Sequence, residues 1–197
     1  MKSSELLDPV VAEIYQILEP NTPIEIPDYG WDNFAWSSSK FRNAHLQYFK
    51  TDKVAILHCV VFPHTNSDAP IYGYDVIEIN GILTGMFLDL TPVNDQQYYC
   101  LPAVQGEHRQ RPDWGDFFSP LFVCVRPEPE DLVAGVQTLR EYLLNILPGN
   151  KDGDYSAQQQ HYVDGQRKNP QTFRMLKSHI GEEKAHEFIN TVLFPDI

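Results

Sequence analysis

Thiols are scarce in this chain. Only Cys59, Cys100 and Cys124 occur, an odd number with no C-x-x-C spacing. That argues against a disulfide framework or a thiolate metal site, and Cys59 and Cys124 are expected to be reduced and buried in strands. Basic residues are few as well: 15 Lys and Arg stand against 27 Asp and Glu, a formal net charge of −12. A nucleic-acid partner normally requires a basic footprint, so none is expected. No apolar run approaches the ~20 residues of a bilayer-spanning helix. The opening MKSSELLDP lacks a basic-then-apolar signal segment, so a cytoplasmic protein without a membrane anchor is expected. G-x-G-x-x-G, P-loop, H-E-x-x-H and G-x-S-x-G motifs are all missing, which disfavours a nucleotide cofactor, a classical zinc site and an α/β-hydrolase.

What the chain does have is a dense run of strand signals from Val54 to Pro92. Val54 to Phe62 is β-branched and apolar with His58 at its centre. Two prolines mark 63–70 as a loop, Tyr72 to Ile79 forms a second strand, and Asn80-Gly81 is a type I′ hairpin signal leading to a third, Ile82 to Leu90. A two-residue turn pairs Ile79 with Ile82, Ile77 with Thr84 and Asp75 with Met86. If His58 sits opposite Asp75 across the first hairpin, Phe62 pairs with Ile71 and residues 63–70 form the loop. With side chains alternating at period two, His58, Asp75, Thr84 and Met86 are expected to share one face. An aspartate and a histidine meeting among Val, Ile and Leu read either as a satisfied buried pair or as a proton-handling pair.

The flanks supply covering layers. Leu6, Leu7, Val10, Val11, Ile14 and Leu18 make one helical stripe that Pro20 ends. Residues 20–36 read as irregular with at most one short strand, and 37–48 as an outer strand turning through Thr51-Asp52-Lys53. Residues 93–113 read as a long loop, of the kind that often carries function. A strand follows from Leu121 to Arg126, then an amphipathic helix from Leu132 to Leu147. Asp154 is placed to cap a polar helix running to Lys168. Pro170 opens another helix, and Gly181 separates that from a last one through Phe188 and Leu193. One α+β domain over residues 1–197 is expected, its sheet covered on both faces.

Several stretches together carry a resemblance: Phe41-Arg42-x-x-His45-Leu46, Ile56-Leu57-His58-Cys59-Val60, Phe62-Pro63, Gly73-x-Asp75, Asp89-Leu90-x-Pro92, Trp114-Gly115-x-x-Phe118-Ser119, Arg126-Pro127, Lys168-Asn169 and Val192-Leu193-Phe194. In this order and spacing they resemble the ferredoxin-dependent bilin reductases, nearest to the phycocyanobilin-forming branch. The resemblance implies a three-layer α/β/α sandwich with a central antiparallel β-sheet, and a linear tetrapyrrole, biliverdin IXα, held between sheet and C-terminal helices. Reduced 2Fe-2S ferredoxin would deliver electrons singly as an external donor, with no tightly bound cofactor or metal, and the enzyme is expected to be a monomer. By the same resemblance Asp75, His58 and His45 are the catalytic residues. Substrate contacts fall on Thr84 and Arg109 for the propionates, on Lys168 and Asn169 on the helical side, and on Gln47 beside the outer vinyl group. Met86 joins them through the strand register.

Two departures from the family pattern shape the expected product. Gln47 stands where phycocyanobilin-forming members have glutamate, and an amide cannot donate a proton as a carboxylic acid does. Reduction is therefore expected first at the 15,16-methine bridge, giving 15,16-dihydrobiliverdin, and then at the A-ring diene, giving phycoerythrobilin. Gln171 replaces the family's lysine near the propionates, leaving Lys168 or Arg109 for that salt bridge. A bilin radical formed by one-electron reduction is strongly basic and needs a proton within hydrogen-bond reach, which Asp75 is expected to supply with His58 and His45 as relay. Lys40, Arg42, Arg167, Lys168, Arg174 and Lys177 are expected to gather at the pocket rim as a docking patch for an acidic ferredoxin. A non-redox bilin carrier and a metal-dependent hydrolase built on His45, His58 and Asp75 are the alternative readings.

Overall fold

Eight antiparallel strands pair side by side in a computed structural model that describes residues 5–94 and 98–197. In chain order they are β1 (Thr22–Ile24), β2 (Asp32–Ser37), β3 (Phe41–Lys50), β4 (Val54–Pro63), β5 (Ile71–Ile79), β6 (Ile82–Thr91), β7 (Glu107–His108) and β8 (Val123–Arg126). Spatial order follows the sequence except at the end, where β8 lies between β6 and β7. The helices are α1 (Leu7–Leu18), α2 (Val133–Glu141), α3 (Ser156–Arg167), α4 (Pro170–Ile180) and α5 (Glu182–Phe188). The result is the expected α+β layering: helices, antiparallel sheet, helices.

Each face of the sheet has its own core. One face presents Leu46, Leu57, Cys59, Tyr72, Tyr74, Val76 and Leu88 to α1 and α2. α1 has no side-chain N-cap, a loss of ~1 kcal/mol. It also buries Leu7, Val11, Ile14 and Leu18, at roughly 1.5–3 kcal/mol each, so packing and not capping holds it. The opposite face carries Val60, Phe62 and Ile71 against Tyr162, Val163, Leu176, Phe188 and Val192 from the α3–α5 side. Among the described residues no helix is long and apolar enough to cross a membrane.

Several expectations change in detail. Residues 20–36 hold two strands, β1 and β2, so β3 is an interior strand and not an outer one. The irregular composition there hid short edge pairing of Thr22 with Ser37 and Ile24 with Ala35. The expected loop after Val93 contains β7, and residues 95–97 of it lie outside the described residues. The helix after Leu132 widens to a π-turn from Tyr142 to Ile146 before ending.

The β5–β6 register is the consequential correction. Asn80 and Gly81 have φ of 53° and 77°, the type I′ turn, and Ile79 faces Ile82 as expected. Glu78 then pairs with Leu83, but Ile77 pairs with Gly85, leaving Thr84 as an extra residue in a bulge. Every later partner moves by one, so Asp75 faces Phe87 and Val76 faces Met86. Met86 therefore packs in the α1–α2 core on the opposite face from Asp75 and is removed from the site. The sequence signal was Gly85, a glycine inside a strand.

α2 approaches the sheet closely because residue 135 lacks a side chain. A Cβ on Gly135 would come within 2.4 Å of the Tyr74 ring. The Tyr72 hydroxyl donates to Gly135 O at 3.0 Å and the Tyr74 hydroxyl to Leu132 O at 2.9 Å. Gly135→Ala gains ~1 kcal/mol of helix propensity but overpacks this contact at roughly 1–3 kcal/mol. The urea midpoint is expected to fall; a midpoint that rises would show that Tyr74 yields freely.

Candidate active site

One polar row crosses five strands on the face covered by α3–α5. Asn33 (β2) faces Gln47 (β3), Gln47 faces His58 (β4), His58 faces Asp75 (β5) and Asp75 faces Phe87 (β6). His45, two residues before Gln47, lies on the same face in the next row, opposite Val60. The register between β4 and β5 is the one the sequence implied, because no bulge interrupts it.

His58 Nδ1 and Asp75 Oδ1 are 2.6 Å apart. At that distance the imidazole and the carboxyl share one direct hydrogen bond. His58 is nearly buried, whereas the Asp75 side chain keeps 33% of its exposure. The carboxyl is thus less enclosed than expected and faces outward from the pair. Beyond it Phe87 stacks on Phe122, which stacks on Phe118 at 4.0 Å, an aromatic floor continuing the row.

The His45 ring is 5.7 Å from that of His58 and packs against Phe188. Burial, followed by the neighbouring charge of His58, holds the pKa of His45 well below the usual imidazole range, so it is neutral at physiological pH. His45 accordingly carries no charge in the resting protein.

Unpaired polar atoms gather here. Among the described residues, Trp31 Nε1, Asn33 Oδ1, Arg42 Nη2, Asn43 Oδ1, both His45 nitrogens and His58 Nε2 are buried on this side with no partner. Each such atom costs ~1–3 kcal/mol when nothing satisfies it, and native interiors keep few of them. A face that concentrates so many suits a guest with hydrogen-bonding groups of its own. Its cover is apolar: Phe194 stands edge-on to His58 at 5.7 Å, and Phe188 lies between His45, Trp31 and Tyr29.

Two other hollows stand apart from the row. One of about 460 Å³ is lined by Thr91, Phe117, Phe118, His161 and Tyr162, and one of about 410 Å³ lies near Ile82 and Arg126. Neither is bordered by His58 or Asp75. Tyr162 closes the first off, its hydroxyl seated where a Cβ on Gly73 would come within 3.1 Å. Next to it Asp89 is buried and accepts from Thr91 Oγ1 at 2.6 Å, from the Ser119 hydroxyl and from Ser119 N at 2.9 Å. Burial raises its pKa against the pull of these donors, and its position makes it a clamp on the 116–120 loop.

The remaining expected site residues divide. Arg109 and Thr84 do meet, but through the Thr84 carbonyl, to which Arg109 Nη1 donates at 2.8 Å. Gln47 is buried opposite His58 on the neighbouring strand. Asn169 Oδ1 accepts from Gln171 N at 3.0 Å and caps α4, a task that its position just before Pro170 explains. Lys168 is exposed after α3, and among the described residues no hydrogen bond or ion pair links either of the two to the row.

The expected basic patch disperses. Lys40 donates to Leu143 O on the α2 side. Arg42 lies over Phe62 and bonds Gln159, with burial lowering its pKa to about 10. Lys177 pairs with Glu182 and Arg167 with Asp196. Among the described residues no group of three His, Cys, Asp or Glu side chains could hold a metal ion. Sequence reasoning gave no role to Asn33, which fell in a segment expected to be irregular, or to Phe188, which read only as a helix-stripe residue.

Comparison with known proteins follows from this geometry. Residues 25–195 match the family described as ferredoxin-dependent bilin reductase. Phycocyanobilin:ferredoxin oxidoreductase of Trichodesmium erythraeum (strain IMS101) is 30% identical over 183 residues, 82% of this chain and 75% of that protein. The protein of the same name from Synechococcus elongatus is 30% identical over 186 residues, 83% and 75% of the two chains. Among solved structures, PcyX aligns with a TM-score of 0.70 at 22% identity, covering 97% of this chain and 99% of that one. Tomato phytochromobilin synthase in complex with biliverdin aligns with a TM-score of 0.69 at 18% identity, covering 96% and 82%.

Neutral burial of His45 has a pH signature. The pKa is near 6.5 unfolded and lower when folded, so its contribution to stability is complete above about 6.5 and is lost as pH falls below it. The loss reaches ~1.4 kcal/mol per pH unit. Urea unfolding of the native chain is expected to show this decline between pH 6.5 and 5, and His45→Leu to flatten it. An unchanged slope in the variant would assign the decline to other groups.

Proposed function

Because this chain belongs to the ferredoxin-dependent bilin reductase family, we propose that it reduces biliverdin IXα to phycoerythrobilin, by way of 15,16-dihydrobiliverdin, with the His58–Asp75 pair as proton source. The observation that carries this reading is the 2.6 Å contact of these side chains on a face whose other buried polar atoms lack partners. Biliverdin is flat, apolar over most of its surface, and lined along one edge with pyrrole nitrogens and lactam oxygens. Such a molecule complements an aromatic slot with a polar floor.

The balance is four electrons and four protons. Each two-electron step takes two electrons singly from reduced ferredoxin and two protons through the enzyme, saturating one double-bond equivalent of the bilin. After the first electron the bilin radical is basic, and a proton on Asp75 lies where the radical can take it. His58 then returns a proton to Asp75 across the shared contact, and neutral His45 is placed to accept and pass on the next.

Product choice rests on Gln47. It is buried beside His58, and its amide has no acidic proton to deliver to a vinyl group. The only acid in the row is Asp75, which favours the methine bridge and then the A-ring diene. Arg109, with donors beyond the one on Thr84 O, is the candidate for a propionate, and Lys168 is a second cation within the same reading. The relatives at 30% identity are named for phycocyanobilin, which makes a phycocyanobilin product the alternative.

Asp75→Asn is expected to keep the fold and the biliverdin absorption band but to lower turnover ~10²–10⁴-fold under anaerobic assay with reduced ferredoxin. Normal yield from that variant would remove Asp75 from its role. A band that never changes in the native protein would indicate a carrier. Gln47→Glu is expected to shift chromatographed products toward vinyl-reduced bilin, and an unaltered product pattern would overturn this account of regiochemistry.

A further inference from the structure

We propose that residues 189–197 form a lid over His58, latched by Arg167, and that opening of this latch sets how fast a bilin enters and leaves the slot. The inference rests on the reading of the row as a bilin site. It begins with one residue held from two sides. The Phe194 ring is 3% exposed and stands edge-on to His58, 5.7 Å between centroids. Its carbonyl accepts from both Arg167 Nε, at 3.1 Å, and Arg167 Nη2, at 2.6 Å.

Local geometry explains why an arginine is needed there. Ile189–Leu193 is a π-helical turn, after which Phe194 leaves helical geometry with φ −135° and ψ 69°. The last carbonyls of such a turn have no partner further along the chain. Arg167, at the end of α3, supplies them: Nη2 also donates to Asn190 O at 3.2 Å, and Nη1 to Asp196 Oδ1 at 2.7 Å. Gln160, two turns earlier on α3, reaches the same segment, its Oε1 accepting from Ile197 N at 3.2 Å. A planar five-donor fork can serve several acceptors at once, and an ammonium cannot hold that geometry.

The lid follows from competition for space. Asp75 keeps a third of its side-chain exposure, but a flat tetrapyrrole that also reaches His58 must take ground that the Phe194 ring now covers. Neither hollow described above offers an approach, because neither borders the pair. Moving Phe194 aside means releasing its carbonyl, and hence Arg167. The rest of the segment, Ile189, Val192 and Leu193, is buried in the same core and supplies the hinge side. For a two-stage reduction the latch has a use, since it keeps the two-electron intermediate in place for the second pair of electrons. Arg167 is a positioning residue in this scheme and never touches the bilin.

The test is exchange kinetics on the full chain. Biliverdin binding is followed by stopped-flow absorbance, and release by displacement into excess serum albumin. Arg167→Ala is expected to speed both association and dissociation at least tenfold with a Kd changed much less, and Arg167→Lys to fall between. Asp196→Asn takes the charge from one latch contact, at a residue 76% exposed, so it should fold normally and speed exchange a few-fold. Arg140→Ala, which breaks a pair with Glu13 on the opposite side of the sheet, is expected to change nothing. During turnover, Arg167→Ala should release more two-electron intermediate than the native chain. Native exchange rates in both Arg167→Ala and Asp196→Asn would overturn the latch, as would faster dissociation with association unchanged, which describes a fixed wall. Failure of the native chain to bind biliverdin would overturn the bilin reading itself, and the lid with it.

Discussion

The contact between His58 Nδ1 and Asp75 Oδ1 at 2.6 Å is the constraint to which the rest of the molecule answers. It exists because β4 and β5 pair without a bulge from Val54 to Val61, so that a histidine and an aspartate seventeen residues apart become direct neighbours. Interior strands on both sides keep the pair at the middle of the sheet. The helices beyond Ser156 then cover that face, and the apolar side chains they deliver to the row, Phe188 and Phe194, bring no charge to neutralise the carboxyl. What results is a hydrogen-bonded imidazole and carboxyl beneath an aromatic cover.

The two faces of one sheet have been given different work. Toward α1 and α2 the inward residues of the central strands are apolar or tyrosines whose hydroxyls are satisfied, as with Tyr72 and Tyr74, apart from the buried Glu78. Like the opposite face, this one buries an apolar core that supplies folding free energy. The other gives some back: two histidines, two asparagines and a tryptophan keep buried polar atoms without partners. Departures of this kind from a fully satisfied interior are expected where a protein keeps a surface for a ligand, and they occur here on the face that carries the His58–Asp75 contact.

Much of this was legible from the chain alone, for physical reasons. The Asn80-Gly81 turn and the proline-flanked loop at 63–70 marked two hairpins, and supposing His58 opposite Asp75 gave the register that the structure has. The same arithmetic failed at Met86, because one extra residue at Thr84 reverses every face beyond it, and arithmetic on a ladder has no memory of a bulge. β1 and β2 were missed because strands of three and six residues at a sheet edge carry little periodic signal. Asn169 read as a substrate contact but serves as the cap of α4, a competition that a residue preceding proline regularly enters. The hold of Arg167 on Phe194 joins residues from α3 and the final turn, and nothing in local pattern announces a contact between a side chain and a distant carbonyl.

The most direct trial of the account is a crystal structure of the chain with biliverdin bound. The account predicts the tetrapyrrole lying on the α3–α5 face with its pyrrole nitrogens or lactam oxygen within ~3 Å of the Asp75–His58 pair, and Phe194 moved from its present seat. Biliverdin found instead in the hollow beyond Tyr162, with His58 and Asp75 untouched, would contradict it.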